Sequence, residues 1–442
     1  MPGKILLVLR RNWDKIYFSL AVLGAVFIVG MLVGRYRLFP FPIVSDAWQT
    51  AKQLVEVKVD EPSGLNPIAY ANYGVTKYSP EEIWRGPTLI SGPFKDDSDW
   101  AQELRLIDVD GNVLHRWTIH PETLWDVSPH DDPIRGTRNS KNRTYVHGAV
   151  LMSSGDVVFN FSHYALVRID ACSNVLWKIP HRAHHSVDTD DDGNFWVAGE
   201  TWRTEPVARF SGLSTPFIED IILKVSPDGE ILREISLLDV LYDSGYEGLL
   251  FSGENKHRRE YTHMNDVEIL SAKMAPDFDA FEAGDILVSL RNINSLLVID
   301  SKSERVKWIS PPVLIYQHDP DFLAGGYITS YDNRPNRLGH DAPEFGGSRI
   351  VQIRPDFGEV EVIVSSTAKN EFDSSHGGKH QNLPNGNILI VEPERARIFE
   401  VNRAGDLVWS WVADRWDNER APEFLEGTRY PGSYGKFNAK CN

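Results

Sequence analysis

A sixfold repeat of one strand–turn–strand unit restricts this chain to very few folds. Each unit is a run of alternating apolar residues, a turn, and a second strand that often ends in Trp. The copies centre on Leu104–Asp108, Leu166–Asp170, Ile221–Val225, Leu296–Asp300, Arg349–Ile353 and Arg397–Val401. If Ile107, Ile169, Val225, Ile299, Ile353 and Val401 are equivalent, the steps between them are 62, 56, 74, 54 and 48 residues. A period of this length, with several short strands per unit, fits a propeller blade and exceeds a solenoid turn. The sequence therefore predicts an all-β, six-bladed β-propeller with terminal strands completing one blade. The 74-residue step carries an insertion, about 237–260, whose Lys256–Glu260 run reads as a solvated loop.

The second half of each repeat carries the chemistry. A histidine opens an apolar strand that ends in a Gly- or Asp-containing turn. The copies are His147, His185, His263, His318 and His380; the first unit lacks one. In a propeller the innermost strands surround the axis, so a residue at one repeat position recurs as a ring. Five imidazoles around one funnel suit a small oxyanion. The competing reading is that each histidine only bonds its neighbouring blade.

Ahead of the repeats, Ile16 to Gly34 is a run of 19 residues without a charge. As a helix it reaches about 30 Å, one hydrocarbon thickness. No small-residue cleavage site follows it, so the run reads as an uncleaved transmembrane anchor and not as a signal peptide. Lys4, Arg10, Arg11 and Lys15 outnumber Arg35 and Arg37, which predicts a cytoplasmic N-terminus and an exported, periplasmic or extracellular, propeller. The expected layout is residues 1–15 cytoplasmic, 16–34 spanning, 35–83 stem and linker with a short amphipathic helix, and 84–442 propeller with a C-terminal tail.

The net charge of −16 argues against a nucleic-acid partner. Two cysteines, Cys172 and Cys441, make neither a disulfide framework nor a cysteine zinc site, so cysteine does not reveal the compartment. No cofactor or metal is predicted. Asp188–Gly193 has the opening of a calcium loop, but Gly199 stands where an EF-hand needs Glu, and the register makes it a turn. His184 and His185 suggest a metal pair, yet neighbours on a strand point to opposite faces, so only one is expected to face the channel.

The order of motifs from Tyr261 to Arg354 is more particular than a generic propeller. Thr262-His263-Met264-Asn265-Asp266 precedes Asp285–Arg291. Tyr316-Gln317-His318, Tyr331-Asp332-Asn333 with Arg337, and Ser348–Val351 follow. This resembles the bacterial arylsulfate sulfotransferases, which use an aryl sulfate donor instead of a nucleotide donor. The resemblance covers about Tyr145 to Trp411. It implies a sulfuryl transfer from an aryl sulfate to a phenolic acceptor through a sulfohistidine. His263 and His318 match the channel histidines, and Arg337 matches the sulfate-binding arginine. His147, His185, Asn265, Arg291, Asn333 and His376 complete the expected substrate site. The family's nucleophilic histidine lies late in the chain. Alignment on Ile398-Phe399 puts Arg397 there, so either His380 or His376 takes the role, with His380 preferred for its ring position, or the chain is a divergent member without that chemistry. The rival readings are a non-catalytic tethered propeller that binds an anion or a protein, and another propeller enzyme such as a quinoprotein or a calcium-dependent lactonase.

Overall fold

The computed structural model describes residues 13–36, 61–95, 99–130, 144–251, 259–335, 347–367, 370–435, 437 and 441. The chain forms two compact units, Met1–Glu61 and Pro62–Asn442.

In the first unit Trp13–Tyr36 is one 24-residue α-helix. Its side chains from Tyr17 to Leu32 are exposed. Among the described residues no helix is long and apolar enough to cross a membrane. The amphipathic helix expected in the stem lies outside the described residues.

The second unit is a six-bladed propeller. Four blades are consecutive four-stranded antiparallel sheets. The second blade has strands Val146–Leu151, Val157–Phe161, Ala165–Ile169 and Val175–Ile179. The third opens with Arg182–Thr189, the fourth with Met264–Ile269, and the fifth with His318–Leu323. The anchors chosen from sequence are equivalent: each except Arg354-flanked Ile353 is the last residue of the third strand of its blade. An Asp or Asn follows several of them, and its side chain accepts the N–H groups of the turn. Asp108, Asp170 and Asn402 each bond residues two and four further on, and Asp190 does the same after the first strand of the third blade. Asp190 thus caps a turn, Asp188 accepts from Ile269 N–H, and Asp191 accepts from Ala272 N–H.

Both termini close the ring, on two blades and not one. Gly427–Arg429 is the innermost strand of the first blade, paired with Thr88–Lys95. Gly74–Tyr78 adds a fifth, outer strand to the sixth blade, paired with Leu407–Val412. Leu65–Pro67 also pairs with Arg420–Pro422. The propeller unit therefore starts at Pro62, well before the boundary at 84 expected from the repeat, because these strands carry no repeat signal.

Apolar side chains fill the spaces between strands. Trp117 and Trp409 are fully buried, and the indole of Trp409 donates to Val109 O. The insertion holds an unpredicted α-helix, Leu237–Ser244, capped by Ser236 accepting from Asp239 N–H and ended by Gly245 in the left-handed region. Leu237, Leu238, Val240 and Leu241 bury one face of it in the core of the third and fourth blades. Residues 252–258, most of the expected loop, lie outside the described residues.

Cys172 and Cys441 form a disulfide, Cα–Cα 5.2 Å, across 269 residues. It ties the C-terminal tail to the turn of the second blade. The sequence reading excluded a framework and did not foresee this single link.

Candidate active site

His147, His185, His263 and His318 come from the inner strands of four successive blades. With Arg291 they line one axial cavity of about 190 Å³. The His185 ring lies 4.0 Å from that of His147, 5.0 Å from His263 and 6.1 Å from His318, centroid to centroid. The inner strands place these rings by breaking regular pairing. Bulges interrupt the register between Val146 and Ala149, His184 and Val187, Met264 and Asp266, and His318 and Asp321. His185 and His263 hold left-handed backbones, φ 55° and 51°. Such conformations cost on the order of 1–3 kcal/mol each and concentrate at functional sites.

Each ring has a distinct electrostatic setting. Burial pushes His147 and His185 well below the ordinary imidazole value, and the neighbouring imidazoles add to it. Burial followed by the Arg291 cation pushes His318 down to about 3. These three are neutral bases at physiological pH. Nδ1 of His318 faces two acceptors, Asn333 Oδ1 at 2.7 Å and Tyr316 O at 3.0 Å, so it carries the proton. Its Nε2 accepts from Gly377 N–H at 3.3 Å. Asn333 is fixed in turn by donating to Ser374 O and Gly377 O. It positions His318. Nδ1 of His263 donates to Glu260 Oε1 at 2.6 Å, which leaves Nε2 as the basic nitrogen.

Arg291 follows the second strand of the fourth blade, with its backbone N–H on His263 O. Its guanidinium lies 5.6 Å from the Tyr316 ring. Asn265 donates to Gln317 O and stitches the fourth blade to the fifth. It lines a smaller space of about 30 Å³ beside the main cavity. Arg337 lies outside the described residues.

His380 departs from the expected ring. It is absent from the cavity lining and its side chain is fully buried. Nδ1 lies 3.0 Å from Asp319 Oδ2 and Nε2 2.8 Å from Thr329 Oγ1. Burial alone lowers its basicity, but Asp321 and Asp319 outweigh that and raise it. With both nitrogens engaged it offers no lone pair for attack. The cause is register. The sixth blade pairs Lys379 with Val391 and His380 with Ile390 without a bulge. Relative to the anchors, Lys379 takes the position His318 holds opposite Tyr331. His376 does line the cavity mouth, mostly exposed, with Nδ1 3.1 Å from Glu394 Oε1.

Sequence reasoning missed His163, Glu260 and Glu394. His163 reaches the cavity from the hairpin after Phe161, at a left-handed position, φ 61°. The matching hairpins of other blades hold Asn294 and Ala396 in that conformation, so no repeat signal marks it. Glu260 and Glu394 sit in connections, and only proximity to a histidine identifies them.

Of His184 and His185 only His185 lines the cavity, as expected, but the two rings are not on opposite faces of the strand. The left-handed turn at His185 swings the rings together, and their Nδ1 atoms lie 2.8 Å apart.

The fold and the site define a six-bladed propeller with an imidazole-lined axial cavity containing an arginine. The chain belongs to the arylsulfotransferase (ASST) family, whose profile matches residues 148–414. Among solved structures it is similar to a Bacteroides caccae protein of unknown function, at 14% identity and TM-score 0.44, over 76% of this chain and 99% of that one. It is also similar to a Staphylococcus aureus virginiamycin B lyase, at 11% identity and TM-score 0.41, over 80% and 97%. No curated protein matches the chain.

Proposed function

We propose that the chain transfers a sulfuryl group from an aryl sulfate to a phenolic acceptor through a sulfohistidine formed in the axial cavity. The observation that carries this reading is the convergence of six imidazoles and Arg291 on one cavity, all but His147 within the matched residues 148–414.

His263 is the nucleophile in this reading. A buried imidazole with Nδ1 on a carboxylate presents Nε2 as a fixed base, the arrangement that activates histidine. The Nε2 lone pair forms the N–S bond, and the ester S–O bond breaks with its electron pair on the phenolate. Arg291 stabilises charge on the sulfuryl and leaving oxygens, and the phenolate departs to solvent, where water protonates it. A second phenol then attacks sulfur, and the N–S pair returns to His263 as that phenol loses its proton. The imidazoles of His147, His185 and His318, kept neutral by burial, donate and accept hydrogen bonds without adding charge that would quench the nucleophile. His376 is the alternative nucleophile, favoured by its late place in the chain and its contact with Glu394.

The chain is held in a membrane by Trp13–Tyr36, its N-terminus cytoplasmic and its propeller exported. The exposed apolar side chains of that helix and the Cys172–Cys441 disulfide, a bond that persists in oxidising compartments, support this.

Incubation of the full chain with 4-nitrophenyl sulfate tests the activity. Nitrophenol release that rises with added phenol, together with a sulfuryl mass increment on the protein, is expected. Binding of the ester without release or adduct would favour the non-catalytic reading.

A further inference from the structure

At the wall of the cavity, where the second blade meets the third, four ionisable side chains come together. Glu200 and Asp220 stand directly opposite each other on neighbouring strands, and both are buried. Like charges at such a pair repel, and burial removes the water that screens them. Two imidazoles face them from other segments. Nδ1 of His163 lies 3.0 Å from Glu200 Oε2, and Nε2 of His184 lies 3.7 Å from Asp220 Oδ1. One ligand-type atom from each of His163, His184 and Glu200 falls within 4.8 Å of the others. The His163 and His184 rings are stacked, 5.0 Å between centroids.

We propose that His163, His184 and Glu200, with Asp220 beside them, bind one divalent first-row transition-metal ion. Two imidazole nitrogens and a carboxylate are the donor set such ions take, and the mixed nitrogen and oxygen donors disfavour calcium or magnesium. The ion adds positive charge beside the opposed carboxylates, of which Asp220 also accepts from Thr262 Oγ1 and Met264 N–H. The loop of His163 holds a left-handed φ of 61°, and each bond to the ion offsets part of that cost.

The site also reaches the cavity. His184 bonds His185 through the two Nδ1 atoms. Metal at Nε2 of His184 requires the proton on its Nδ1, which then donates to Nδ1 of His185. The cavity histidine is thereby fixed with its proton on Nε2. Ligand imidazoles are commonly oriented by such outer bonds, and here the orientation runs outward from the ion. This role is positioning. The metal site stands without the sulfuryl-transfer reading.

The test uses the full chain, stripped with a chelator and titrated with Co²⁺. Saturation at one Co²⁺ per chain, with a visible ligand-field band that Zn²⁺ bleaches, is expected. Glu200→Gln and His163→Gln should each weaken Co²⁺ binding at least tenfold. In the wild type Zn²⁺ should raise the melting temperature, and in the two variants the rise should shrink. If one variant fails to fold, the other and the wild-type titration still decide. Wild-type protein that takes up neither ion would overturn the proposal in favour of a proton shared by Glu200 and Asp220. So would folded variants that bind Co²⁺ as well as the wild type.

Discussion

Nδ1 of His263 and Oε1 of Glu260 are joined by a 2.6 Å hydrogen bond, and His263 lines the axial cavity while Glu260 does not. The carboxylate fixes the tautomer and stabilises positive charge on the ring as the N–S bond forms. Glu260→Gln should therefore lower kcat on the order of 10²-fold, the usual scale for a positioned acid–base group, with a smaller change in KM. Steady-state kinetics with an aryl sulfate checks this. A Glu260→Gln enzyme with unaltered kcat would remove Glu260 from the mechanism.

His318 gives the acid side of the stability profile. Its folded value near 3 lies below the ordinary imidazole value of 6.5. Between those two values the unfolded chain binds a proton that the folded chain refuses, so stability falls as pH falls. The contribution is complete above about pH 6.5 and is lost toward pH 3. His318→Asn should flatten the decline of melting temperature between pH 6.5 and 4. Parallel profiles for the two proteins would contradict this setting for His318.

The repeat was legible because its anchors share one structural duty. Ile107, Ile169, Val225, Ile299 and Val401 each end a third strand before a turn. Four of the five ring histidines followed from the same periodicity. His380 did not, because a bulge re-aims the inner strand in the fifth blade and is missing in the sixth. One sequence does not show where a bulge falls. His163 and the Glu200–Asp220 pair were hidden because loop conformation and cross-strand register bring them together. The disulfide was hidden by the 269 residues between its ends.

Closure of the ring depends on Gly427. A Cβ there would lie 2.4 Å from Val391 Cγ2 and 3.0 Å from Ile398 Cδ1 in the adjoining blade. Gly427→Ala should cost about 1–3 kcal/mol through overpacking. Urea unfolding measures it, and an unchanged midpoint would show that the closing strand is not packed as described.

The Cys172–Cys441 bond should appear as a linked peptide pair under non-reducing conditions in protein recovered from its own cell envelope. Cys172→Ser should lower stability by about 2–4 kcal/mol. Free thiols at both positions in native protein would argue against an exported propeller.

Peptide mass mapping after brief incubation with an aryl sulfate in the absence of acceptor tests the central claim most directly. The account predicts one sulfuryl increment on the peptide carrying His263, lost in His263→Ala and discharged by added phenol. An increment on the His376 peptide that survives in His263→Ala, or no increment while nitrophenol is still released, would contradict it.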